Sequence, residues 1–232
     1  MSTSAQKKVI ITGGCGFLGS ITSLYLKEQG YTPLLLDNFS TSKKLEQYQK
    51  LMPGQVLEVD LKDYKATEHI FQNHGPIHAI FHFAAYALVP ESVQKPWAYF
   101  NNNINSTLNI AECAVKFSVP YFVHSSSCAV YGIPSSVPIS ETAPMSALTP
   151  YGESKVISES ILQQFTRWKH FQALNLRYFN PAGSAIGAGL GELHQPETHL
   201  LNPLFKYNLL LAHPCHFTRT GNNFTSSQFS GS

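Results

Sequence analysis

The sequence predicts an α/β protein built on a doubly wound parallel sheet, and three observations predict it. Short β-branched or aliphatic runs alternate with longer segments of helical period, the pattern of successive strand–helix–strand units. The first such run leads straight into a glycine-rich turn, "TGGCGFLGS", which opens a helix. A later strand ends in "HSSS", at the edge where doubly wound sheets bind their ligands.

Taken in order, strands are expected at 8–12, 33–36, 55–59, 78–83, 121–124 and 173–177. Helices are expected at 17–29, 63–73, 101–117 and 151–168, each with apolar residues recurring at three and four. Segment 126–150, rich in Ser, Pro and Thr, reads as a long loop after a strand end, and loops of that length in a compact domain are functional or disordered. Beyond Arg177 the Gly-rich "YFNPAGSAIGAGLGELHQPETH" reads as loop, followed by a helix over about 200–211. The closing "HFTRTGNNFTSSQFSGS" shows no period and is expected to be disordered. The chain therefore divides into 1–178, 179–212 and a tail at 213–232.

With 232 residues, 43% of them hydrophobic and 12% aromatic, the chain is long enough to bury one core and part of a second. A net charge of +2, with 13% charged residues and no dense Lys/Arg run, excludes the electrostatic footprint of a nucleic-acid binder. The longest apolar window, "AIFHFAAYALV", is too short to span a bilayer, and "MSTSAQKK" leads into a strand, so the cytoplasm is the expected address. Cys15, Cys113, Cys128 and Cys215 are scattered and unpaired in pattern, which indicates neither zinc nor a disulfide framework. "HPCH" at 213–216 reads as chance composition, and Gly75 and Pro76 break the helical spacing of His74, His78 and His82, so no metal is expected.

Gly13, Gly16 and Gly19 stand between the first strand and first helix, where only glycine lets the backbone turn tightly and approach a pyrophosphate. About twenty residues on, the strand "PLLLD" ends in Asp37, placed to accept hydrogen bonds from an adenosine ribose, and the absence of an arginine at or just after it favours NAD over NADP. These features make the sheet Rossmann-like. Asp60, closing "EVD", reads either as a contact to the adenine edge or as a helix cap. In "TPYGESK", Tyr151 and Lys155 are four residues apart and share one helix face, downstream of Ser125, Ser126 and Ser127.

The phrases "TGGCGFLGS", "LDNFS", "FHFAA", "ESVQKPWAYFNNNINSTLNI", "HSSSCAVYG", "TPYGESK" and "LRYFNPAGS" follow in order from about residue 8 to 205. With them the chain resembles the extended short-chain dehydrogenase/reductase family, and within it the UDP-glucose 4-epimerase branch. The resemblance implies an NAD-dependent isomerase that inverts C4 of a UDP-hexose, such as UDP-glucose or UDP-galactose, through a transient 4-keto sugar, and that works as a homodimer pairing through helices 101–117 and 151–169. By the same resemblance Ser127, Tyr151 and Lys155 form the catalytic group, Tyr151 acting as base on the 4-hydroxyl. Holding a phenol of ordinary pKa near 10 as phenolate at neutral pH draws about 4 kcal/mol from its surroundings, which Lys155 and a positive nicotinamide supply. The implied cofactor contacts are Gly13, Gly16, Phe17, Leu18, Gly19, Asp37, Asn38, Phe39, Ser40, Thr41, Ser42, Asp60, Leu61, Phe83, Ala84, Ala85, Tyr86, Ala87, Asn102 and Phe179, with the catalytic three. Asn180, His199 and Leu200, with Ser127 and Tyr151, are the implied sugar-nucleotide contacts.

Departures from the family pattern are Ala87 for a lysine, Pro90 for a glycine and Ala129 for a threonine, and each removes a ligand contact without removing a proton-transfer group. The resemblance fades after about Leu211, where family members continue, so an incomplete C-terminal substrate lobe is expected, as in a truncated chain. Two other readings stand beside this one: another nucleotide-sugar epimerase or a dehydratase, against which "SSSCAVYG" carries no acidic residue, and a non-catalytic NAD-binding dimer.

Overall fold

The computed structural model describes residues 7–41, 45–169, 171–182, 217–220 and 223–226. Two compact units divide the chain, 1–192 and 193–232. The first contains β1 (Lys8–Thr12), α1 (Phe17–Glu28), β2 (Thr32–Asp37), α2 (Leu45–Leu51), β3 (Val56–Glu58), α3 (Tyr64–His74), β4 (Ala79–His82), α4 (Val89–Gln94), α5 (Pro96–Lys116), β5 (Tyr121–Ser125), a 3₁₀ turn (Cys128–Tyr131), α6 (Pro150–Lys169) and β6 (Gln172–Leu176).

Its six strands lie parallel in the order β3-β2-β1-β4-β5-β6. Strands of a sheet covered on both faces read as unbroken apolar runs, and "KVIIT" and "TPLLLD" do so because alternate residues enter different cores. Ile10, Leu34, Leu36, Ile80 and Phe122 join Phe71 of α3, Ile110 and Ala114 of α5, and Leu162 of α6. Leu35 joins Cys15, Tyr48 and Met52, with α1 and α2 contributing Leu24 and Leu51. Each fully buried large aliphatic or aromatic side chain adds about 1.5–3 kcal/mol over an exposed one. Strand order reverses between β1 and β4, so the carboxyl ends of these two strands open the crevice in which such sheets hold ligands.

Three helical segments escape the sequence reading. α2 is only two turns long, too short to show a period. α4 and the first turn of α5 begin with Pro90 and Pro96, residues that resemble a break but suit a first helical turn, whose N–H groups need no helical partner. In the second unit, Phe217–Thr220 (β7) and Asn223–Ser226 (β8) pair antiparallel with Thr220 opposite Asn223. This differs from the structureless tail expected there. The signal is "FTRT-GN-NFTS", two β-prone runs flanking a Gly-Asn pair. The expected helix at 200–211 and "HPCH" lie outside the described residues. Among the described residues no helix is long and apolar enough to cross a membrane, and no cluster of metal-ligating side chains occurs.

Candidate active site

The glycine turn is built by contact as much as by conformation. Gly13 has φ +62°, and a Cβ there would come within 2.8 Å of the Ala84 backbone nitrogen, while one on Gly19 would lie 2.2 Å from the Gly13 carbonyl. The turn thus presses against the chain leaving β4 and against α1 at once. At its head Gly16 caps α1 without a side-chain acceptor, and the first turn holds no acidic residue, so the helix's positive end stays open to an anion.

Asp37, at the end of β2, ties this turn to the second strand. Its carboxylate accepts from the Cys15 N–H at 3.0 Å and the Phe39 N–H at 2.9 Å. Burial pushes its carboxyl above the ordinary value, and these N–H groups oppose that. Two donors leave about half of a carboxylate's four acceptor positions for a bound hydroxyl pair. Asn38 turns the chain by accepting from the Ser40 N–H, and Thr41 is exposed. Asp60 follows β3 and pairs with Lys62 at 3.4 Å, while the cap of α3 is Asp63, so the capping alternative for Asp60 does not occur. Leu61 is buried in the main core.

Phe83, Ala84, Ala85 and Tyr86 leave β4 beside the glycine turn, and Ala87 is exposed. Thr12 Oγ1 accepts from the Ala84 N–H at 3.2 Å and meets His82 Nδ1 at 2.7 Å, with His82 Nε2 3.1 Å from Thr107 on α5. Asn103, not Asn102, grips this segment: it accepts from the Tyr86 N–H at 2.8 Å and donates to the Tyr86 carbonyl at 3.1 Å and to Ser154 at 2.9 Å. Asn102 donates to Asn103 in turn. Ser154 then donates to the Tyr151 carbonyl, which carries the network to α6.

α6 starts where "TP" predicts a boundary: Thr149 Oγ1 accepts from the Gly152 N–H at 3.2 Å, and Pro150 occupies the first turn. The Tyr151 ring stands edge-on to Tyr99 at 6.5 Å, and Lys155 Nζ lies 5.9 Å from the Tyr151 ring centre. Lys155 is 3% exposed and donates to the Ser125 carbonyl at 2.7 Å. Ser127, likewise buried, accepts from the Ala129 N–H and faces the Tyr151 phenol. Burial pushes that phenol above its ordinary value, and the Ser127 hydroxyl opposes the rise. Burial also draws Lys155 down to about 8, against the pull of Glu159.

Past β6, Phe179 is 63% exposed and Asn180 is exposed. Ser42, His199 and Leu200 lie outside the described residues. The sequence reading passes over Glu159 and Arg177, a buried carboxylate and a half-buried guanidinium paired at 2.6 Å, and Tyr178, whose hydroxyl donates to Ser125 Oγ at 2.6 Å. Glu159 carried one signal, its position a helical turn beyond Lys155.

A doubly wound sheet with a glycine turn at its switch point and a Tyr-x-x-x-Lys helix beside the serine strand defines the class: an extended short-chain dehydrogenase/reductase. Within it, the chain belongs to the NAD dependent epimerase/dehydratase family, whose pattern it matches over residues 9–215. It is 38% identical to a UDP-glucose 4-epimerase of Rhizobium leguminosarum bv. trifolii over 85% of this chain and 59% of that one. Against the UDP-glucose 4-epimerase of Mus musculus the identity is 38% over 81% of this chain and 57% of the relative. Among solved structures, UDP-glucose 4-epimerase from Brucella ovis in complex with NAD superposes with a TM-score of 0.78 at 37% identity, over 85% of this chain and 59% of the other. The Bifidobacterium longum enzyme in complex with NAD+ and UDP gives 0.74 at 35%, over 80% and 57%. The chain therefore spans less than two thirds of the length of these relatives.

Proposed function

We propose that the chain carries the cofactor-binding and catalytic part of an NAD-dependent UDP-hexose 4-epimerase, working as a homodimer in the cytoplasm, with 1–178 as the cofactor unit and 179–212 as the start of a substrate lobe. One observation carries the reading: Tyr151 and Lys155 share a face of α6, Lys155 reaches the end of β5 at 2.7 Å, and Ser127 faces the phenol. The glycine turn fits a dinucleotide, since its backbone is bare where a Cβ would collide and α1 offers free amides. Asp37, with acceptor capacity left, suits the ribose.

The chemistry NAD supplies when bound is acceptance and return of the hydride at the sugar's C4. Tyr151 Oη takes the 4-hydroxyl proton and later gives it back, so configuration inverts without net redox change. Because burial raises the phenol, the phenolate needs positive charge nearby. Lys155 provides it on one side. Ser127 holds the hydroxyl in line with the phenol. The homodimer draws support from Leu108 on α5 and Trp168 on α6, exposed at 42% and 68% on the two helices that pack together.

Purified protein given NAD is expected to interconvert UDP-galactose and UDP-glucose, followed by separation of the two nucleotides. Protein that binds NAD and yields no second sugar nucleotide would sink the epimerase reading and leave a binding role.

A further inference from the structure

The Glu159–Arg177 pair has no part in the proton and hydride transfers proposed above. From its contacts we infer that Glu159 is a positioning residue for the Ser127–Tyr151–Lys155 group: it tethers the serine loop to α6 and keeps the Lys155 side chain charged, with Arg177 as its clamp. The inference rests on the epimerase reading of that group.

Glu159 is 4% exposed. Its Oε1 accepts from Ser126 Oγ and from Arg177 Nε at 2.9 Å, and its Oε2 accepts from Arg177 Nη2 at 2.6 Å. Ser126 adjoins Ser127, so the carboxylate fixes the backbone that presents the Ser127 hydroxyl. Arg177, just past β6, donates from Nη1 to Tyr131 Oη and to the Glu141 carbonyl, each at 3.0 Å. It also lies 5.1 Å over the Tyr131 ring, and Nη2 approaches Met145 Sδ at 3.3 Å. One planar fork thus binds the end of β6, the 3₁₀ turn and two further points of the 126–150 loop to a single carboxylate on α6. A lysine, with its point charge, would hold only part of this set.

Lys155 is faced by Tyr151 and Glu159 from its own helix, by His82 of β4, and by His124 and the Ser125 carbonyl of β5. Burial, helped by the Lys155 charge, draws His82 down to about 3 and His124 well below its ordinary value, so both rings are neutral at pH 7. Among the described residues, Glu159 is the one carboxylate raising Lys155 against its burial. Without it Lys155 sheds its proton nearer neutrality, and the phenolate loses its cation.

The test is a pH titration of lysine ε-carbon resonances in the purified protein, with Lys155 assigned by the signal missing in Lys155→Met. The wild-type midpoint is expected near 8. In Glu159→Gln it falls by about one unit, in Glu159→Asp it stays within about half a unit, and kcat at pH 7.5 falls at least about threefold in Glu159→Gln with KM within about twofold. Should Glu159→Gln fail to fold, the double variant Glu159→Gln/Arg177→Met leaves no guanidinium unpaired, and because it removes both charges of the pair the midpoint is expected to fall in the same direction by less. A Lys155 midpoint unmoved by either change overturns the inference and leaves a purely structural pair. Because the titration uses no sugar, a moved midpoint in a protein without turnover would uphold the control of Lys155 while disposing of the epimerase reading.

Discussion

Lys155 shows what placing a charged group inside a protein costs and when that cost is felt. Its pKa is about 8 in the fold against an ordinary 10.5, so the native state releases the proton at lower pH than the unfolded chain does. Between about pH 8 and 10.5 the unfolded chain binds more protons, and stability rises with pH across that window. Below pH 8 the full penalty applies, about 3 kcal/mol. Lys155→Met, which forfeits a hydrogen bond worth about 1 kcal/mol, is therefore expected to raise unfolding free energy by about 1–2 kcal/mol at pH 7.5. Urea unfolding at pH 7.5 and 10 checks this: the gain over wild type shrinks at the higher pH, and a gain equal at both would contradict the assignment. Gly19 is a steric counterpart, because the Cβ of Gly19→Ala would strike the Gly13 carbonyl at 2.2 Å, and backbone cannot swing aside as a side chain would. NADH fluorescence titration is expected to show at least about tenfold weaker binding in Gly19→Ala, and unchanged affinity would argue that the turn does not cradle the cofactor. Such residues are legible in sequence because one residue type alone fits. Glu159 and Arg177 are not, since a pair made across 18 positions leaves no local pattern.

Among the elements, the long strands and helices were readable because burial on two faces or one imposes a period, as in "KVIIT" and in α5, whose Tyr99, Asn103, Ser106, Ile110 and Ala114 all point inward. Proline hid the starts of α4 and α5. The asparagine run of α5 stands out in the sequence, but its contacts do not: helical phase decides that Asn103 reaches Tyr86 and Ser154 while Asn102 donates to Asn103. Asn103→Ala strands the half-buried Tyr86 backbone N–H and carbonyl and is expected to cost about 1–3 kcal/mol in urea unfolding. A loss below a few tenths would mean that the β4 exit holds its place without α5.

At the scale of the whole molecule, the sheet order brings three sequence-distant stretches, the glycine turn, the β4 exit and the serine strand, to one edge. That convergence follows from parallel topology and needs no side chain to be predicted. What α5 and α6 do with their outer faces is a second question at this scale, and sedimentation velocity is expected to report a dimer, a monomer at all concentrations counting against pairing through these helices. The central claim is narrower than the fold: the Tyr151 hydroxyl moves the proton of a sugar alcohol at the site where Lys155 and Ser127 meet it. Its most direct measurement is UDP-galactose turnover by Tyr151→Phe with the wild-type circular dichroism spectrum and bound NAD. The account predicts a fall of at least about a hundredfold, and turnover at the wild-type rate would contradict it.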